Sequence, residues 1–319
     1  MKTANISKSL KKYGIYLVLV VLIIAFSIAT PQFLTVSNIL NVARQAAMLG
    51  VASVGMIFVI IIGGIDLSVG SMVTFVNIFV AYLMVNAGVS PIVAALTGIL
   101  VTTLIGLFNG WVVANIKIPA LIATLATQII FEGAAYIIAG GMPIFGFPKS
   151  FSVLGQSYIG FIPLLVIVMI ICLIIGSFIL NKTFFGRHFY AVGSNAEAAE
   201  LSGIQVKRVN YLAYSLCGFF AGLSGVMLLS RTSSGQVTAG KGFEFDVISA
   251  LVLGGVSVTG GSGNISCAVA GILIMQVLSN GFVLCGISTY WQMAIKGVIL
   301  LAAVGFDMMQ KQRQHVVKK

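Results

Sequence analysis

Long apolar stretches dominate the chain, and short polar or glycine-rich breaks separate them. The longest uncharged runs cover 13–43, 45–65, 67–116, 150–181, 209–230 and 247–295. A helix needs roughly 17–25 predominantly apolar residues to cross a bilayer, so the longest of these runs are sufficient for two crossings. The pattern therefore predicts an all-α, polytopic membrane protein.

Proline residues and clusters of glycine, asparagine and serine divide the apolar sequence into about ten predicted spans. Their boundaries are 14–30, 41–63, 67–85, 91–114, 119–140, 161–181, 209–230, 246–260, 265–284 and 290–309. The third and eighth spans adjoin or contain the sequences GGIDLSVGS and GGVSVTGGSG, which predict broken or re-entrant helices. Eight full spans with two partial ones fit the pattern nearly as well.

The whole chain, 1–319, is predicted to form a single transmembrane domain. Two further sequence features concern its internal symmetry and its N-terminus. Gly63-Gly64 and Gly254-Gly255 begin similar small-residue stretches, which suggests two inverted halves of five spans each. At the N-terminus, Ser27-Ile-Ala29 could mark the cleavage site of a signal peptide. The apolar stretch before it is long for that purpose, which favours an uncleaved first span.

The net positive charge of the chain has a different interpretation in a membrane protein than in a soluble one. Only 8% of residues are charged and the mean hydropathy is +1.10, values that exclude an ordinary soluble domain. A net charge of +11 would suggest a nucleic-acid partner for a soluble protein, whereas basic residues of membrane proteins gather in cytoplasmic loops. The predicted inside group is Lys2, Lys8, Lys11, Lys12, Lys117, Lys182, Arg187, Lys207, Arg208, Lys311, Arg313, Lys318 and Lys319, and the outside group is Arg44, Lys149, Arg231 and Lys241. Both termini and the loop 182–208 are therefore predicted to be cytoplasmic, with no role for nucleic acid.

The sequence contains no recognisable motif for catalysis, metal binding or nucleotide binding. The four cysteines are dispersed without a CxxC pair, and the two histidines lie at His188 and His315, so neither a metal site nor a nucleophile with its base is predicted. The phosphate-binding pattern GxxxxGK[ST] does not occur. We therefore expect a protein that is not an enzyme, has no catalytic residue and needs no cofactor.

The polar stretch 181–210 is the longest segment suited to water. Within it, Ser194-Asn195-Ala-Glu197 is typical of a capping box, in which the serine caps the helix and the glutamate bonds back to the cap amide. Gly203 supplies a left-handed helix stop. The predicted helix is too short to be stable alone in water, which suggests that a partner surface holds it.

Charged and polar residues within the apolar sequence are the other candidates for function. Asp66, next to Ser68, could line a polar pathway or cap the helix that starts there. Glu132 continues a polar stripe on the fifth span that serves either as a pathway lining or as an inter-helix contact; the stripe contains Thr124, Thr127, Gln128 and Glu132. Lys296 is expected to extend its amine to the outer interface.

Several motifs together resemble one known family. Glu197-Ala198-Ala199 followed by Gly203 resembles the EAA---G loop of ABC-importer permeases, and the remainder resembles the ribose-type, simple-sugar permeases along almost its whole length. The stretches that carry this resemblance are 63–70, 109–110, 117–119, 122–125, 185–187, 191–193, 202–204, 214–218, 252–255 and 260–261. In one respect the chain departs from the family: Phe131-Glu132-Gly133 has an acidic residue where many such permeases have a basic one.

The resemblance implies a ten-helix permease in a bacterial cytoplasmic membrane that imports a small neutral sugar, of the pentose or hexose class. It implies three kinds of protein partner: ABC ATPase subunits, a soluble extracytoplasmic sugar-binding protein, and a second copy of the permease or a homologue. The loop residues Ser194, Asn195, Glu197, Ala198, Ala199 and Gly203 would then contact the ATPase. Nucleosides or a sugar-like signal remain alternative substrates. A self-sufficient secondary transporter that uses Asp66 and Glu132 as ion sites is the alternative of another class.

Overall fold

The computed structural model describes the backbone of residues 2–316 and the side chains of residues 14–309. Within that part the chain forms thirteen α-helices and one short antiparallel strand pair, β1 (Tyr158–Ile159) with β2 (Ile162–Pro163). The helices are α1 (Lys2–Ala29), α2 (Val36–Ile61), α3 (Val69–Val85), α4 (Pro91–Trp111), α5 (Ala120–Ala139), α6 (Lys149–Gln156), α7 (Leu164–Lys182), α8 (Phe184–Ser194), α9 (Ala196–Leu201), α10 (Val206–Thr232), α11 (Phe243–Leu253), α12 (Ile265–Leu284) and α13 (Thr289–Val316). The prediction of an all-α polytopic protein is confirmed.

Seven helices in the described part are long and apolar enough to cross a membrane, and two shorter apolar helices, Gly14–Ala29 and Val69–Val85, accompany them. The predicted eighth span, 246–260, is only partly helical, in agreement with the broken or re-entrant helix that its glycine-rich sequence predicted. Its helix α11 ends at Leu253 because Gly254 and Gly255 follow, the latter with a left-handed φ of 88°. Eleven residues extend only about 16 Å, roughly half the thickness of the hydrocarbon layer.

Helix α2 forms the centre of the bundle. Every residue from Ala46 to Ile61 is buried, and α7, α10, α11 and α12 all pack around it. A helix that is apolar on all its faces can be buried on all of them. This explains why a segment with the composition of a lipid-facing span lies inside the protein.

Helices α4 and α10 approach each other closely through glycine. A side-chain carbon added at Gly106 would collide with the carbonyl oxygen of Tyr214, and one added at Gly218 would collide with that of Thr102. Small residues let two membrane helices bring their backbones into contact, where dispersion forces stabilise the pair. The interface fixes α4 against α10 without any charged side chain.

Two pairs of loop basic residues, Lys117 with Lys207 and Lys149 with Arg231, lie at opposite ends of α10. Asn115 donates a hydrogen bond to the hydroxyl of Tyr211, which brings the Lys117 end of α4 to the Lys207 end of α10. At the opposite end, the amide of Gly155 on α6 donates to Ser230 Oγ (2.8 Å), close to Arg231. The short helix α6 and the strand pair at this end were not predicted from the sequence.

Candidate functional site

The polar segment 182–208 folds into two helices that turn sharply at their junction. Thr183 caps α8 by accepting from the amide of Gly186 (3.4 Å), and Asn195 ends α8 while it begins α9. Gly203 has a φ of 83°, and its amide donates to Glu200 O (2.9 Å), so the predicted left-handed stop after α9 is confirmed.

The predicted capping box at Ser194 is wrong. The residue that caps α9 is Asn195, whose Oδ1 accepts from the amide of Ala198 (2.9 Å). Ser194 is the last residue of α8, and its hydroxyl donates back to Tyr190 O (2.8 Å). Glu197 stands in the first turn, where its negative charge favours the positive end of the helix.

Helix α9 presents most of its surface to the outside. Ala199 is buried, whereas Glu197, Ala198 and Glu200 are exposed, and Leu201 is 90% exposed. A fully exposed leucine at the end of a six-residue helix is isolated from the core of the protein. Such a helix offers an apolar tip and an acidic first turn to a partner.

Beneath α9, the end of α8 packs on the protein's two glycine-rich breaks. The hydroxyl of Tyr190 donates to Gly263 O (2.7 Å), and the amide of Gly261 donates to Ile61 O (2.9 Å). Gly193 lies against the same Ile61 oxygen, so closely that a side-chain carbon there would collide with it. Burial raises the pKa of the Tyr190 hydroxyl, which stays a donor at neutral pH.

A buried polar network joins the start of α3 to the end of α4 and to the first half of α5. Asp66 Oδ1 accepts from the amide (2.9 Å) and the hydroxyl (2.5 Å) of Ser68, the residue before α3. Asn109 on α4 donates to Ser68 Oγ (2.9 Å), and Thr127 on α5 donates to Asn109 Oδ1 (2.6 Å). All four residues are buried, and Asp66 binds the amide just ahead of α3. The N-cap residue of α3 is Ser68, so the carboxylate of Asp66 holds the residue before the helix and binds no amide within it.

The polar stripe on α5 changes character along its length. Thr124 and Thr127 are buried, and Thr124 Oγ1 accepts from the amide of Leu67 (3.1 Å). Gln128 and Glu132 are only partly buried. Gln128 donates to Oε1 of Glu244 (3.1 Å), which brings α5 to the first turn of α11.

Two acidic residues of this region were missed by the sequence analysis. Glu244 is buried, and Asp246 forms an ion pair of 2.8 Å with Lys296 on α13. Lys296 therefore binds Asp246 instead of extending alone to the interface. Five of the seven acidic residues lie in or beside apolar helices, and matching them with Lys296, which lies within the last predicted span, would have included this pair.

The described residues contain no group of three or more histidine, cysteine, aspartate or glutamate side chains that could hold a metal ion. What they do contain is a bundle of membrane-length helices, an exposed capped helix on a polar segment, and buried carboxylates bound by neighbouring helices. These features together define a polytopic membrane protein that exposes one short helix on a polar segment.

Comparisons with known proteins narrow this class. Residues 38–304 match the family described as the permease component of the branched-chain amino acid transport system. The chain is 42% identical over 300 residues to the ribose import permease protein RbsC of Bacillus subtilis (strain 168), covering 93% of each chain. It is 40% identical over 306 residues to the L-arabinose transport system permease protein AraH of Escherichia coli (strain K12), covering 96% of this chain and 93% of the relative.

A third relative, the ribose import permease protein RbsC of Escherichia coli (strain K12), is 39% identical over 293 residues, which is 91% of each chain. No solved structure gave a significant match. The protein belongs to the ribose-type branch of the ABC-importer permeases, and it is a membrane-spanning permease subunit. The resemblance inferred from the sequence motifs is confirmed.

Proposed function

We propose that this permease imports a small neutral sugar of the pentose or hexose class. The observation that carries the proposal is that relatives matched over more than nine-tenths of the chain are named for ribose and arabinose, both pentoses. Nucleosides or a sugar-like signal would use the same type of importer. Membership of the importer family disfavours a self-sufficient secondary transporter, and so does the engagement of Asp66 with Ser68.

The proposed assembly contains a second copy of this permease or a homologue, ABC ATPase subunits that hydrolyse ATP, and a soluble extracytoplasmic sugar-binding protein. It would reside in the bacterial cytoplasmic membrane, with both termini in the cytoplasm. Support comes from the excess of 13 basic residues in the predicted inside group over 4 in the outside group, under the positive-inside rule. Lys117 and Lys207 of the inside group lie at one end of the bundle, opposite Lys149 and Arg231 of the outside group.

We further propose that one transmembrane domain over 1–319 contains ten membrane segments in two inverted halves. Seven long helices, the apolar helices α1 and α3 and the half-length helix α11 make up this number. In support, α3 and α11 are the third segments of their halves, and each adjoins a glycine-rich break: 63–68 precedes α3, and 254–264 follows α11. Discontinuous helices in corresponding positions of two halves are common in transporters.

The loop 182–208 is proposed as the site where the ATPase couples to the permease, with Ser194, Asn195, Glu197, Ala198, Ala199 and Gly203 as the contact region. Support comes from the exposed tip at Leu201 and from the position of α8 directly on both breaks. A movement of α9 would therefore reach Ile61 and Gly263 through the backbone of a single short helix.

Gly203→Val tests the coupling role. The left-handed backbone at Gly203 costs a β-branched residue about 1 kcal/mol or more, and no atom lies within 4 Å of the added carbon, so the bundle itself should fold. We expect both ATP hydrolysis stimulated by the sugar-loaded binding protein and ribose uptake to fall at least fivefold in proteoliposomes. Gly88→Val is the matched control, since Gly88 also has a positive φ (64°) and open space but lies between α3 and α4. Equal losses in both variants, or none in either, would contradict the coupling role.

The substrate pathway is proposed along the α5 stripe. Gln128 and Glu132 are partly exposed and would contact the sugar, whereas Asp66, Ser68 and Thr127 would hold α3, α4 and α5 in place around it. Neutral sugars are bound by hydrogen bonds, which amide and carboxylate side chains can supply.

Glu132→Gln should lower the rate of ribose uptake severalfold and leave expression and assembly with the ATPase unchanged. Glu132→Asp keeps the charge and should retain most of the transport. Uptake is measured with labelled ribose in proteoliposomes, and assembly by co-purification. Normal uptake by the glutamine variant would exclude a pathway role, and a failure to assemble would indicate a purely structural one.

A further inference from the structure

An elongated groove lies between the second half of α7 and the beginning of α12. Both helices pack on α2 but make few contacts with each other, and an open cleft of about 480 Å³ lies between them. Ile174 and Phe178 in the groove are 62% and 59% exposed. The groove is lined by Ile170, Leu173, Ile174, Ser177, Phe178, Asn181, Lys182, Ile265, Ser266 and Val269.

The lining changes from apolar to polar along the groove. One end is formed by Ile170, Leu173 and Ile174, and the other by Asn181, Lys182 and Ser266. Asn181 Nδ2 donates to Ser177 Oγ (3.1 Å), and Lys182 is exposed at the last turn of α7. Twelve residues separate Ile170 from Lys182, about 18 Å along the helix, which is close to the thickness of one bilayer leaflet.

We propose that this groove binds one anionic phospholipid, with an acyl chain against Ile174 and Phe178 and the headgroup phosphate at Lys182. The proposal rests on the proposed orientation, which places Lys182 at the cytoplasmic surface. An apolar channel in contact with the membrane is filled by acyl chains, and a lysine amine beside a phosphate forms a charge-assisted hydrogen bond. The polar end continues through Thr183 into α8, so the lipid sits next to the segment proposed to couple to the ATPase.

Tryptophan fluorescence with brominated lipids tests this binding. Trp111 and Trp291 are replaced by phenylalanine, and Ile174→Trp places a single fluorophore in the groove. The purified permease is reconstituted in mixtures of phosphatidylcholine and phosphatidylglycerol, in which only one of the two carries bromine on its acyl chains. We expect brominated phosphatidylglycerol to quench more strongly, corresponding to a threefold to tenfold preference for the anionic lipid.

A matched control comes from Phe108→Trp in the same background. Phe108 on α4 is 53% exposed and lies nine residues before Lys117, as Ile174 lies eight before Lys182. It has a comparable depth and a lysine at the same end but does not line this groove. Its preference should be close to one. Lys182→Gln should abolish the preference at position 174, and Lys182→Arg should restore it.

Three results would overturn the proposal: equal quenching by both lipids at position 174, the same preference at positions 108 and 174, or a preference that survives Lys182→Gln. Weak quenching by both lipids, together with disulfide cross-linking of two Ile174→Cys chains, would show that a second copy of the protein fills the groove instead. The measurement needs neither ATP nor sugar. A negative result would therefore leave the proposed importer function intact, and loss of uptake would not affect the lipid result.

Discussion

The two glycine-rich breaks have similar sequences but are held in different ways. The first break (63–68) is fixed by side chains, since Asp66 and Ser68 connect it to Asn109 on α4 and Thr127 on α5. The second break (254–264) is held mainly through its backbone, since Gly261 N donates to Ile61 O and Gly263 O accepts from the hydroxyl of Tyr190. Among its side chains, Ser257 donates to Asp307 on α13 (2.8 Å). A network of buried side chains tolerates little movement, whereas a few bonds to carbonyl oxygens can be exchanged at lower cost.

This difference suggests that the two breaks have different mechanical roles in the permease. The first break is connected to the α4–α10 interface, where Gly106 and Gly218 bring two backbones into contact. The second break is connected to α8, and beyond it α11 is joined to α13 by the ion pair of Asp246 with Lys296. We infer that the first break belongs to a rigid half of the bundle and that the second break transmits movement of α8 and α9.

Among the variants that test the two breaks, Gly193→Ala should have the largest effect on stability and on coupling to the ATPase. The added carbon would collide with Ile61 O, so that α8 must move away from both breaks, at a cost of about 1–3 kcal/mol. We expect a lower thermal unfolding temperature in detergent, and more than a tenfold loss of binding-protein-stimulated ATP hydrolysis in the reconstituted complex. Gly305→Ala on α13 is the control, because an added carbon there has no atom within 4 Å. Wild-type coupling in Gly193→Ala would show that the α8 contact does not transmit movement.

The fold was largely predictable because long, uncharged apolar runs in the sequence mark most of the membrane helices. Runs such as 161–181 and 265–284 are long and uncharged, so the helices α7 and α12 could be placed to within a few residues. The end of the eighth span could not be placed as accurately. Val256 and Val258 continue the apolar pattern, whereas the glycines around them end the helix. Hydropathy reports transfer to lipid but contains little information on backbone conformation.

Asn109 is expected to be the most sensitive residue of the first break. Asn109→Leu removes the donor to Ser68 and the acceptor for Thr127, and leaving these buried groups unpaired costs about 1–3 kcal/mol. Thr127→Val should cost less alone. In a double-mutant cycle the two changes should be clearly non-additive, because both break the same hydrogen bond. Thermal unfolding in detergent measures the cycle, and simple additivity would contradict a connected network.

The candidate site was only partly predictable, for a different physical reason. Its polar residues Asp66, Gln128 and Glu132 could be identified because charges and amides are rare in apolar spans. Their partners could not, since Gln128 meets Glu244 across 116 positions of sequence and Asp246 meets Lys296 across 50. Such pairs depend on how helices pack, which the local pattern does not encode. The prediction of the α9 cap was wrong for a local reason. Ser194 and Asn195 are adjacent and both are good capping residues, so the sequence pattern could not distinguish them.

The smallest predicted effect distinguishes these two caps. Asn195→Ala removes the acceptor for the amide of Ala198, and loss of an N-cap costs about 0.5–2 kcal/mol. Ser194→Ala removes only a donor to Tyr190 O, a carbonyl that also serves the helix α8. Hydrogen exchange of the Ala198 and Ala199 amides should therefore accelerate about twofold to thirtyfold in Asn195→Ala and change little in Ser194→Ala. Tyr190 and Gly193 hold α8 on the second break without either side chain, so amides in α8 should exchange at wild-type rates in both variants. Faster exchange throughout α8 in Asn195→Ala would mean that α9 helps to hold α8 in place, and that the second break is less independent than its backbone contacts indicate.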